Sequence, residues 1–306
     1  MNGIINVYKE KGYTSHDVVA RLRGILKTKK IGHTGTLDPD AVGVLPVCVG
    51  NATKVADILT DRDKEYICEM RLGVTTDTLD MSGKVLTESP LSQVEKLDER
   101  DIADAVNSFK GDIMQVPPMY SALKVNGKKL YELARSGVEI ERKPRPVTIH
   151  SIKIEEICLP VVKLRIECSK GTYIRSLCDD IGKKLGVGGA MESLVRSRVG
   201  RFKLEDAKTL DEIEAYVSEH TDGFAHIDIS PLFVGVDDLF EYRKIYVKDD
   251  KLLLNGNPMT ADDMEDPPAA AYDGEKFLVY DDAGTFKAVY EFLSECRIFK
   301  PFKMFL

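Results

Sequence analysis

The sequence predicts an α+β protein: a central mixed or antiparallel sheet flanked by helices and loops, followed by a small C-terminal β domain. Three observations carry this prediction. Strand-like and helix-like periods are interspersed through the first two thirds of the chain. Two long strand patterns, 147–157 and 161–169, follow one another with a short break. From about Tyr246 onward the pattern becomes short strands punctuated by turn signals such as Asn255-Gly256 and Asp281-Asp282-Ala283-Gly284. These place a main domain over 1–245 and a β domain over 246–306.

The elements follow in order. Ile4–Tyr8 reads as a strand, and Thr14-Ser15 cap a helix through about Lys27, with Val18, Val19, Leu22 and Ile25 at helical spacing. Gly43–Val49 reads as a buried strand interrupted by Pro46, Thr53–Leu59 as a short helix, and Tyr66–Leu72 as an alternating strand. Thr75–Gly83 is a polar turn-rich loop, Leu97–Phe109 a helix, and Pro117–Ala122 coil, since consecutive prolines do not sit inside a helix. Lys129–Ser136 is a helix. After the two long strands, Gly171 breaks the pattern and Thr172–Leu185 returns to helical spacing. One further helix is expected near Leu210–Ser218. Strands follow at Lys251–Leu254, Phe277–Tyr280, Phe286–Phe292 and Ile298–Phe305.

With 306 residues, 43% hydrophobic and 30% charged, the chain can bury a sizeable core. No apolar run approaches the roughly 20 residues of a membrane span, and the first residues lack the order of a secretion signal. A cytoplasmic protein is expected. Its six cysteines include no Cys-x-x-Cys pair and read as reduced thiols rather than a metal site. The net charge of −7 is unevenly spread. Residues 111–203 hold 18 basic against 10 acidic side chains, and 204–306 hold 10 against 23. A polyanion responds to the local patch, so the basic block suits RNA and the acidic end suits solubility.

Four stretches carry chemistry. Gly32-His33-Thr34-Gly35-Thr36-Leu37-Asp38-Pro39 sets a carboxylate in a loop whose glycines permit unusual angles and close approach. Pro39 pushes Asp38 away from helical geometry. Taken alone, this reads equally as an Asp-Pro turn. Tyr66 heads a strand beside Lys64 and Glu65, where on its own it reads first as a half-buried strand aromatic and otherwise as an aromatic face and a phenol offered to a base. Arg175 falls in a first helical turn, against the macrodipole, which reads equally as an arginine with a specific partner such as a carboxylate or as an exposed one paired with solvent. Leu194–Arg201 alternates basic and other residues, a pattern that lines up cations for phosphates.

GHTGTLDPDAVGVLPVCVGNATK, the Lys64-Glu65-Tyr66 tripeptide, TDTLDMSG, VPPMYSALKVNGKKLYELAR, KGTYIRSLCDDIGKKLG and SLVRSRVGRF occur in one order. That order resembles the TruB family of bacterial tRNA pseudouridine synthases, which isomerise uridine 55 of the T loop. The motifs span about residues 1–205, and the last 60 residues resemble the family's small PUA-like domain. The resemblance implies the pseudouridine-synthase fold, with Asp38 as nucleophile, Tyr66 stacked on the base and assisting proton transfer, and Arg175 paired with Asp38. It also implies Leu194 in the base pocket, His33 filling the space left by flipped bases, and Lys9 and Lys64 as basic positions near the site. Tyr173, Gly32, Gly35 and Thr36 complete the substrate-binding set. No cofactor and no metal are implied. The expected partner is the T stem-loop of tRNA, with no membrane, no obligate protein partner and a monomeric state.

The chain departs from the family at Tyr8-Lys9-Glu10, where Asp-Lys-Pro is usual, and in its acidic C-terminal third. Other readings are a KH-like G-x-x-G module at Gly32–Gly35, a tRNA chaperone on the same scaffold, an RNA-guided relative, or a metal hydrolase using Asp77 and Asp80.

Overall fold

The computed structural model of the protein describes residues 2–125, 127–220 and 229–306; Asn126, within the fourth quoted motif, lies outside them. β1 (Gly3–Lys9) leads to α1 (Ser15–Leu26). Thr14 caps this helix reciprocally: its Oγ1 accepts from the Asp17 N–H, and the Asp17 carboxylate accepts from the Thr14 N–H. Lys27 closes it at a φ of 49°. β2 (Ile31–His33) and β3 (Val42–Val49) bracket the loop that carries Asp38. A 3-10 turn and α2 (Ala56–Thr60) precede β4 (Lys64–Leu72), whose burial alternates residue by residue.

The next segment holds a hairpin, β5 (Val74–Thr76) and β6 (Val85–Glu88), then α3 (Leu91–Val94), α4 (Glu99–Asn107) and β7 (Gly111–Gln115). Coil through the prolines leads to β8 (Lys124–Val125), β9 (Lys128–Lys129) and α5 (Leu130–Arg135). The long strands β10 (Arg145–Cys158) and β11 (Val161–Cys168) feed α6 (Ile174–Lys184), β12 (Gly189–Val199), β13 (Phe202–Lys203) and α7 (Leu210–Glu219). The C-terminal part is β14 (Arg243–Tyr246), α8 (Asp250–Leu254), β15 (Lys276–Tyr280), β16 (Phe286–Leu293) and β17 (Ile298–Met304).

The main sheet runs β1-β3-β12-β4-β11-β10-β7, with β2 on β3 and β13 on β12. It is antiparallel except where β12 meets β3 in parallel, Val195 beside Val42 and Arg196 beside Gly43. A second sheet runs β14-β15-β16-β17. This is the mixed α+β architecture expected. Three details differ. Pro46 does not interrupt β3: its carbonyl accepts from the Thr34 N–H and hydroxyl, so its missing N–H faces the same gap between the β12 and β2 pairings. The polar 75–83 stretch is partly a hairpin. Lys251–Leu254 is helix rather than strand, because the Asp249 carboxylate caps the Lys251 N–H, so the C-terminal part is not all β.

Three apolar clusters join these layers. α6 places Leu177, Cys178 and Ile181 against Cys68, Met70 and Ile166 of the sheet. α1 and α7 cover Val7, Leu45 and Val47 with Val18, Leu22 and Ile213. Leu278, Val289 and Phe305 share one cluster with Ile4, Val44, Val199 and Phe202, so the second sheet is seated on the first. The height of α6 above the sheet is set by glycine: a Cβ on Gly182 would fall 2.1 Å from the Gly189 nitrogen. Gly182→Ala should therefore lift the helix and lower stability by about 3 kcal/mol, read as a lower urea midpoint; an unchanged midpoint would mean that the helix does not need this contact.

Candidate active site

The loop between β2 and β3 is tied down from several sides. Gly35 has a φ of +135°, a region that favours glycine. Gly32 does not need glycine for its own backbone: it sits in β2, and a Cβ there would meet nothing within 4 Å. His33 accepts the Gly35 N–H on Nδ1 at 3.3 Å, and burial pushes its imidazole below the ordinary value. The neutral ring thus carries its proton on Nε2. The Leu37 N–H donates to the Ser15 hydroxyl at 2.9 Å, anchoring the loop to α1. Leu37 and Ala41 turn into the apolar cluster that also holds Tyr66, Ile174 and Leu194. That packing leaves Asp38 facing outward, with 37% of its side chain exposed.

Arg175 meets it. Tyr173 is the N-cap of α6, and its backbone pairs twice with the buried Gln115 side chain: N–H to Oε1 at 2.8 Å, and Nε2–H to the carbonyl at 3.0 Å. The helix start is fixed, and Arg175 falls in the first turn at 5% exposure. Its Nε lies 3.0 Å from Asp38 Oδ2, and its Nη2 donates to Oδ1 at 3.1 Å, a two-pronged pair. Nη1 donates to the Thr78 carbonyl at 3.0 Å and lies 3.5 Å from Asp80 Oδ2; Nη2 also donates to the Tyr120 carbonyl at 2.7 Å. Each of the three guanidinium nitrogens thus lies beside at least one acceptor. Removal from water pushes the Asp38 carboxyl above its usual range, against the opposing pull of Arg175.

Not every expected residue meets this cleft. Lys9 is fully buried, with its ammonium donating to the carbonyls of Glu10, Tyr13 and Pro39 at 3.1, 2.7 and 3.0 Å. Lys64 donates to the Thr60 and Arg62 carbonyls at 2.7 and 2.6 Å. Burial lowers both from 10.5 to about 8. All three donors of Lys9 and two of the three on Lys64 are spent on backbone, so Lys9 braces the Asp38 loop and Lys64 the turn before β4 rather than offering themselves to phosphate. Tyr66 and Leu194 are each 7% exposed, and burial pushes the Tyr66 phenol up. Thr36 is exposed, and its carbonyl faces Arg196 Nη1 at 3.5 Å.

The basic alternation 194–201 is not a row of free cations. Arg196 is buried, Arg198 pairs with Glu167, and Arg201 donates to the Asp238 carbonyl. A bulge in β12 between Arg196 and Arg198 breaks the alternation. Sequence reasoning also missed Asp80, Thr78, Tyr120 and Gln115 as supports of Arg175. The TDTLD and VPPMY motifs held three of them, but a backbone carbonyl carries no residue signature. Asp80 is engaged by Thr78, Ser82 and Arg175, and no metal-holding group of side chains occurs among the described residues.

This mixed sheet, with its loop aspartate gripped by a buried helix arginine, belongs to a chain that family models of pseudouridine synthases match. Residues 23–174 match the TruB family pseudouridylate synthase N-terminal domain, and residues 175–239 match the tRNA pseudouridylate synthase B C-terminal domain. The chain is 49% identical, over the full length of both, to tRNA pseudouridine synthase B of Lachnoclostridium phytofermentans. It is 48% identical to that of Clostridium kluyveri over 84% of each chain. It belongs to the TruB family. Among solved structures, a Cbf5–Nop10–Gar1 complex gives a TM-score of 0.71 at 28% identity, covering 99% of this chain and 85% of that one. An H/ACA ribonucleoprotein bound to a substrate RNA containing 2′-deoxyuridine gives 0.70 at 26%, with the same coverage.

The depressed lysines make a stability prediction. A lysine titrating at about 8 when folded and 10.5 when unfolded holds fewer protons in the folded state between those values. Its contribution to stability therefore rises as pH climbs through that window. The unaltered protein should gain up to about 3 kcal/mol on Lys64→Met between about pH 7.5 and pH 10.5. Urea unfolding of both at each pH checks this; a constant difference would place Lys64 in water.

Proposed function

We propose that this protein isomerises uridine 55 in the T loop of tRNA to pseudouridine, with Asp38 as nucleophile and without a cofactor. The observation that carries this reading is the two-pronged Arg175 grip on a carboxylate that remains 37% exposed. The guanidinium favours the ionised carboxylate that a nucleophile must be, while keeping its oxygens open to a base. Membership of the TruB family and the tRNA pseudouridine synthase B relatives supply the substrate class.

The chemistry is an internal exchange. The bond from C1′ to N1 breaks, the base turns while held, and a bond from C1′ to C5 forms; the proton leaving C5 is balanced by one gained at N1. A T-loop uridine is stacked and paired, so it must first be extruded at a cost of a few kcal/mol. Stacking on Tyr66 offsets about 1–3 kcal/mol of this. Leu37, Ala41, Tyr66, Ile174 and Leu194 supply an apolar floor on which a detached uracil could turn. His33 at the loop's end fills the space left by the flipped bases, and its neutral ring can enter a base stack without burying a charge. Tyr173, Gly32, Gly35 and Thr36 line the approach. Lys9 and Lys64 act as braces. The chain works alone, as a monomer in the cytoplasm; no helix among the described residues is long and apolar enough to cross a membrane.

The test is to incubate the protein with an unmodified T-arm hairpin and map pseudouridine by position. Product at the T-loop uridine alone is expected; tight binding without product would favour a binding module or chaperone. Asp38→Asn should lower turnover by at least about 10³-fold with RNA affinity within about threefold. Normal turnover in that variant removes Asp38 as nucleophile. RNA affinity should fall by at least about tenfold between about 50 and about 200 mM salt, because phosphate contacts carry it. A flat profile would move the binding energy away from the basic 111–203 block.

A further inference from the structure

One buried cation remains without a part in this chemistry. Arg196 is 1% exposed and heads the bulkiest fully buried side chains. Its Nε donates to the Val44 carbonyl at 2.8 Å, Nη2 to the Gly35 carbonyl at 3.3 Å, and Nη1 reaches the Thr36 carbonyl at 3.5 Å. Three carbonyls of the Asp38 loop and its exit strand thus converge on one side chain. Across the sheet, Arg196 stands in register with Tyr66, and its charge pulls the phenol down against the upward push of burial. On the other side β3 comes up against β12 at Gly43, whose φ is +106° and where a Cβ would fall 2.3 Å from the Arg196 carbonyl oxygen. The hydrogen-bond partners of this guanidinium are backbone carbonyls. A buried cation without a carboxylate is costly to keep for packing alone, since an apolar residue of similar volume would serve.

We propose that Arg196 is a positioning residue of the isomerisation, fixing the Asp38 loop and the Tyr66 phenol relative to one another. It acts through both without touching the base. Its planar fork is what lets one side chain serve three acceptors that point in different directions. An ammonium on a flexible stem cannot reproduce that spread. The inference rests on the pseudouridine-synthase reading above.

The experiment is a double-mutant cycle on the full chain with the T-arm hairpin. Arg196→Lys should lower kcat by about 100-fold, the scale of a small misplacement of reacting groups, with KM within about threefold and a native circular dichroism spectrum. In the Tyr66→Phe background the same change should cost less than about tenfold, because the partner it positions has already lost its hydroxyl. Near-normal kcat in Arg196→Lys, or an equal loss in both backgrounds, overturns the proposal. A nuclear magnetic resonance measurement guards against a lysine variant that does not fold. Tyr66→Phe, measured alone, should shift the Arg196 guanidinium 15N resonances and leave those of Arg175 in place; unmoved Arg196 signals overturn it. If the unaltered protein forms no pseudouridine, the functional reading fails and takes this inference with it. If the unaltered protein is active and Arg196→Lys is equally so, this inference alone fails.

Discussion

The Asp38–Arg175 pair is the constraint around which the rest is arranged, because a guanidinium at 5% exposure must find an acceptor for every proton. Asp38, Thr78 and Tyr120 accept hydrogen bonds from it and Asp80 adds a second carboxylate, Thr78, Asp80 and Tyr120 coming from two separate segments of the chain. Gln115 fixes where the helix begins and hence where the arginine stands. Losing Asp38 from this set leaves the cation with Asp80 and two carbonyls.

The basic count of the 111–203 block overstates what an RNA could meet. Arg175 and Arg196 are interior, Arg165 is held by Glu65 and Glu155, and Arg198 by Glu167. A solvent face of alternating ion pairs on β4, β11 and β12 accounts for several of the cations that composition offered to phosphate. Exposed pairs of this kind contribute little to stability; here they keep the outer face of the sheet neutral and solvated.

Much of the fold was legible because its periods are strong. The Thr14–Asp17 cap, the alternation of β4 and the amphipathic spacing of α6 each leave a local signature. Lys251–Leu254 misled because three leucines in a row suit a buried strand or a short helix alike, and a single Asp249 cap decided between them. At the site, the loop singled out Asp38 and the misfit with the helix dipole singled out Arg175, but each also suited a plain turn or an exposed arginine, and their pairing came from the family resemblance. Lys9 and Lys64 were found as residues but not as braces, since sequence does not show which carbonyls lie within reach of an ammonium. Arg196 was read as one of a row of surface cations because the bulge that turns β12 at that point leaves no trace in residue type.

The shared apolar cluster beneath the second sheet has a further consequence. Phe305, Leu278 and Val289 interlock with Ile4, Val44 and Phe202, and Asn51 holds the Phe305 carbonyl at 3.0 Å. A shared core couples the unfolding of the two parts. A compound that binds either sheet then raises the melting temperature of both by mass action. A thermal-shift screen on this protein reports that something has bound and is blind to where, so a hit at the far edge of the C-terminal sheet is indistinguishable from one lodged against Asp38.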